Sequence, residues 1–115
     1  MQKTNKNIAR DFLELIGKGK IEEAFKNYLA NDFKHHNPFF KGDSNSLKLA
    51  MNEDALNNPQ KELNILRVLA DGEFVVVHSQ VKQNPSDYGF VFVHILKFKD
   101  RKIVELWDLG QEVPQ

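Results

Sequence analysis

The chain has 115 residues, no cysteine, and sixteen Lys and Arg against sixteen Asp and Glu, so its formal net charge is zero. That balance, with no long basic run, argues against nucleic acid as the main partner, because phosphate binding relies on a positive surface that displaces counterions. The missing cysteines remove disulfides, thiolate catalysis and Cys-ligated metal.

Hydrophobic residues make up 41% and charged residues 28%, the composition of one globular domain over residues 1–115 with a single core. Residues 1–10 are polar and lack an apolar signal core. No apolar stretch approaches the ~18 residues of a membrane span, so no membrane partner and a cytoplasmic address are expected. A neutral surface repels itself weakly, which favours self-association.

Thr4 or Asn5 can cap a helix whose apolar residues Ile8, Phe12, Leu15 and Ile16 follow helical spacing, with Gly17 as terminator. Ile21, Ala24, Phe25 and Tyr28 form the stripe of a second helix, opened by Glu22 and Glu23. The stretch DFKHHNPFFKG at 32–42 breaks helical periodicity, and Pro38 pushes Asn37 out of the helical region, so a short extended segment is expected. Asp43, Ser44 or Ser46 can cap a third helix carrying Leu47, Ala50 and Met51, which must stop before Asn57, Asn58 and Pro59.

Strands follow. Residues 64–70 and 73–82 are rich in β-branched residues and flank Asp71-Gly72, a strong hairpin signal. Residues 89–98 and 102–111 form a second hairpin turning near Asp100-Arg101. Helices first and consecutive antiparallel strands after predict an α+β layer fold and exclude alternating βαβ units. No glycine-rich phosphate loop is present.

Three segments carry a resemblance: HHNPFFKG at 35–42, FVVVHSQVK at 74–82 and, most distinctive, GFVFVHILKFKDRKIVELWDLGQEVP at 89–114. Together they resemble the SnoaL-like, polyketide cyclase-like branch of the NTF2-like superfamily. The resemblance implies a cone in which a strongly curved antiparallel sheet wraps around N-terminal helices and encloses an apolar cavity, often in a dimer. Its members include cyclases that close rings by aldol chemistry without metal or cofactor, as well as isomerases, dehydratases, epoxide hydrolases and noncatalytic proteins. Two positions depart from the family pattern. His94 stands where an aspartate is common, and Leu106 where a histidine often precedes Trp-Asp.

With a two-residue turn at Asp100-Arg101 and regular alternation, His94 falls opposite Trp107, and Asp108 points to the other face. A single β-bulge would bring His94 and Asp108 together. Asp108, between Trp107 and Leu109, could act as a general base beside a carbonyl, or be a strand-end aspartate that is solvated or bonded to the backbone. His94 could exchange a proton or bond a ligand oxygen, or be a core histidine tied to Glu105 or a backbone carbonyl.

His35 and His36 are adjacent in an extended segment, so at most one faces a cavity. His36, with Asn37, fits the family's His-Asn-Pro element better and could orient a carbonyl, or simply pin the loop. His78 shares strand parity with Phe74 and Val76 and could line the pocket or face solvent. Phe40, Phe92 and Trp107 are candidates for an apolar wall. No His-x-His or His-x-x-x-His spacing supports a metal site.

The expectation is thus a cofactor-independent acid/base enzyme of cyclase, isomerase or lyase type acting on a small apolar carbonyl compound. Asp108, His94 and His36 are its catalytic candidates, and Asn37, Phe40, His78, Phe92 and Trp107 its ligand-binding candidates. The alternative is a noncatalytic ligand-binding or dimerising module of the same fold.

Overall fold

Thr4 opens the first helix by accepting a hydrogen bond from the Asn7 N–H through Oγ1 at 3.2 Å. In the computed structural model, which describes residues 3–36 and 43–114, α1 runs Asn5–Gly17 and buries Ile8, Ala9, Phe12, Leu13 and Ile16. Gly19, at φ +77°, takes the left-handed turn that frees the chain to start again. Helix α2 (Ile21–Tyr28) buries Ile21, Ala24 and Phe25, and the Phe12 and Phe25 rings pack at 6.1 Å. Helix α3 (Ser44–Asn57) buries only Leu47 and is tied to α2 by Lys48 and Glu22 at 2.6 Å.

The extended segment expected around 32–42 forms a strand over its first part. β1 (Leu29–His36) leaves α2 directly. The remaining strands are β2 (Glu62–Asp71), β3 (Phe74–Lys82), β4 (Phe90–Lys99) and β5 (Lys102–Glu112), in the sheet order β1-β5-β4-β3-β2. The expected α+β fold class holds, helices packed in a curved sheet, with β1 as a fifth strand beside the four expected. Its strands are antiparallel except at one edge, where β1 pairs parallel to β5. Both hairpins are tight. Asp71 pairs with Phe74, so the first loop is Gly72-Glu73, one residue later than expected. The second is Asp100-Arg101, both with positive φ, the twist that a two-residue hairpin favours.

One irregularity decides what the sheet presents. Phe98 pairs with Ile103 but Lys97 pairs with Glu105, so Val104 is a bulged extra residue on β5. Beyond it His94 faces Asp108, Leu96 faces Leu106, and Trp107 pairs with Ile95. Regular alternation, with His94 opposite Trp107, is therefore replaced by the bulged register.

Helices α1 and α2 pack on the inner face of the sheet against Phe33, Val75, Val77, Leu96, Phe98, Ile103 and Leu106. Among the described residues no helix is long and apolar enough to cross a membrane.

Candidate active site on the inner face

Following register across the sheet, the inner face brings together polar side chains from four neighbouring strands: His35 on β1, Asp108 on β5, His94 on β4 and Ser79 on β3. They sit just beyond the apolar rows that meet the helices. His35 lies beside Leu106, His94 is directly opposite Asp108, and Ser79 is two residues along β3 from Val77, the partner of His94.

His35 donates from Nε2–H to Asp108 Oδ2 at 3.1 Å. Its side chain is fully buried, while the Asp108 side chain keeps 15% of its surface exposed. The contact puts the His35 proton on Nε2 and fixes how the carboxylate is aimed. Leu106, where a histidine is common, is buried in the core. The imidazole that reaches Asp108 comes instead from the neighbouring strand.

His94 is the second imidazole of the cluster. Burial pushes its pKa down from 6.5 to about 4; Asp108 pulls it partly back up, and His35 and Lys61 push it further down. It is therefore neutral at pH 7. Its Nδ1 is buried with no hydrogen-bond partner among the described residues.

Aromatic rings flank this stripe on one side. Phe92 lies between Phe90 and His94, with centroids 5.8 Å and 5.6 Å away and both pairs 27° from parallel. Gly110, opposite Phe92 on β5, makes this possible, since a Cβ there would sit 2.6 Å from Phe92 Cε1. Phe92, His94 and Asp108 each keep part of their surface in solvent.

The other expected site residues go elsewhere. His36 points to the outer face, where Nε2–H donates to Glu105 Oε2 at 2.9 Å and the ring stacks on Trp107 at 4.8 Å. Of the adjacent histidines, then, it is His35 that faces inward. Trp107, expected on the cavity wall, stands on the outer face with His36 and Phe74 because the Val104 bulge reverses its parity. His78 is also on the outer face, its Nδ1 accepting from Arg67. Asn37 and Phe40 lie outside the described residues.

The sequence pattern favours His36 over His35 and does not single out Ser79. The inner row of β3 reads Val75, Val77, Ser79, Val81, and the break at Ser79 was the available signal. A cavity of about 290 Å³ lies at the α1–α2 turn, lined by Ile16, Ile21, Met51, Ala55 and Lys61 among others. It does not include His35, Ser79, His94 or Asp108. Lys61 on its rim, paired with Asp54, adds to the effect of burial and His35 on His94. Among the described residues no group of three or more His, Asp or Glu is placed to hold a metal ion.

The profile of the SnoaL-like domain matches residues 9–106. The chain belongs to the SnoaL-like domain family. Solved structures carry the same fold. A candidate polyketide cyclase from Bacillus cereus ATCC 10987 is 24% identical with a TM-score of 0.77, over 90% of this chain and 72% of that one. AclR, a candidate hydroxylase from Streptomyces galilaeus, is 17% identical with a TM-score of 0.79, over 93% and 88%. A candidate ketosteroid isomerase from Kribbella flavida DSM 17836 is 21% identical with a TM-score of 0.71, over 96% and 80%. At these identities the likeness establishes the SnoaL-like, NTF2-like fold and leaves the reaction to the residues. No curated protein matches the sequence.

Proposed function

We propose that this SnoaL-like protein is a cofactor-independent acid/base enzyme of cyclase, isomerase or lyase type, acting on a small apolar carbonyl compound at the inner-face cluster. One observation carries the reading. Asp108 is oriented by the buried His35 and stands opposite His94, an imidazole held neutral at pH 7.

In that arrangement Asp108 is the base. It takes a proton from the carbon next to the substrate carbonyl; the C–H bond breaks, an O–H bond forms on the carboxyl, and the electron pair moves onto the carbonyl oxygen as an enolate. His35, donating to Oδ2, positions the carboxylate. Neutral His94 has an N–H to donate to the enolate oxygen, a preorganised stabilisation that a low-dielectric site strengthens. Phe90 and Phe92 supply apolar wall. The solved neighbours with cyclase and isomerase descriptions are consistent with this class of chemistry.

The same reading places the protein in the cytoplasm as a homodimer. Support for the dimer comes from the outer face of the sheet, which exposes Leu69 at 60% and Leu109 at 56% beside Trp107 and Phe74.

The test is turnover. Against a panel of small ketones, aldehydes and β-dicarbonyls, the wild-type protein is expected to catalyse proton exchange or ring closure on at least one compound. Asp108→Asn is expected to lose at least ~100-fold in rate while melting within a few degrees of wild type. An Asp108→Asn protein with full turnover on that compound contradicts the proposal.

A further inference from the structure

On the inner face His94 Nδ1 and Ser79 Oγ are buried with no hydrogen-bond partner among the described residues. Ser79 is fully buried, yet none of its strand's other inner positions, Val75, Val77 and Val81, carries a polar atom. An apolar side chain in that row would contact Ile65 and Phe92, the residues paired with Ser79 on either side, without a polar atom to satisfy. A hydroxyl left dry in that position weakens the fold, and such groups are uncommon enough to require a reason. Residues that cost stability without repaying it in packing concentrate at functional sites.

We infer that Ser79 is a ligand-binding residue, its hydroxyl converging with His94 on one oxygen of an uncharged carbonyl substrate. The inference rests on the reading of the inner face as the ligand site and narrows its substrate class. Ser79 and His94 lie on adjacent strands and the same face, one diagonal step apart. Both are neutral donors. Two neutral donors suit a carbonyl oxygen that gains charge only during reaction, whereas a ligand carrying a fixed carboxylate would lie against the like charge of Asp108, with Lys61, the cation that acts on His94, already paired with Asp54. Phe92, directly across from Ser79 and partly exposed, gives the rest of the ligand an aromatic surface.

The experiment compares acetophenone with α-methylstyrene, the same shape with a methylene in place of the carbonyl oxygen, by ligand-detected NMR titration. Wild type is expected to prefer the ketone. Ser79→Ala is expected to bind the ketone about fivefold more weakly, the loss of one neutral hydrogen bond, and to leave α-methylstyrene unchanged. Its melting temperature is expected to rise, because the substitution removes a dry hydroxyl.

Equal binding of both compounds by wild type, binding of neither, or unchanged ketone affinity in Ser79→Ala overturns the assignment. A parallel loss for both compounds, with a lower melting temperature, makes Ser79 a packing residue and also overturns it. Asp108→Asn, titrated alongside, is expected to keep the ketone preference while losing turnover. Retained turnover in Asp108→Asn with ketone preference lost in Ser79→Ala removes the acid/base reading and leaves the Ser79 contact standing.

Discussion

His94 makes the protein's stability depend on pH in a defined direction. Its pKa is about 4 in the folded chain against 6.5 for the free group. Between those values the unfolded chain binds the extra proton, so the contribution is full above pH 6.5 and is lost as pH falls toward 4, by about 3 kcal/mol for a shift of this size. The check is denaturant unfolding of wild type and His94→Gln across that range: the wild-type curve should fall more steeply with acid, and parallel curves would place His94 in solvent.

At this scale the sequence was only partly legible. His94 and Asp108 could be named from residue type and the family pattern, whereas the choice between His35 and His36 could not be made correctly. Their side chains alternate, and which one turns inward depends on how β1 meets β5, a parallel pairing with an irregular register between Leu29 and Lys34 and no turn to set it. The His-Asn-Pro pattern pointed to His36. The pairing of His35 with Leu106 puts His35 inside.

Among the elements, the hairpins were legible because their turns are short and local, Asp71-Gly72 within one residue and Asp100-Arg101 in place. The Val104 bulge was not. An additional β-branched residue in a strand looks like any other, yet it carries Asp108 to the inner face and Trp107 to the outer one. The close fit of β4 on β5 depends equally on Gly110, whose missing Cβ leaves room for the Phe92 ring. Gly110→Ala puts a methyl into that ring and is expected to destabilise the protein by ~1–3 kcal/mol, read as a lower melting temperature with disturbed Phe92 resonances. A variant as stable as wild type would mean that the aromatic row on β4 is loosely held.

At the scale of the whole molecule the sheet has two dissimilar faces, an inner one with a buried polar stripe and an outer one with exposed Leu69, Phe74 and Leu109. If the outer face joins two copies, sedimentation should give a dimer for wild type and a monomer for Leu69→Lys combined with Leu109→Lys; a monomeric wild type would remove that role. The architecture itself was the most legible feature, since helices followed by a strand meander leave few layer arrangements. Which face holds the ligand had to come from register. The most direct measurement of that claim follows the ring resonances of the four histidines by NMR while acetophenone is added. His35 and His94 are expected to shift while His36 and His78 stay fixed. Shifts at His36 and His78, with His35 and His94 unmoved, would put binding on the outer face and contradict the account.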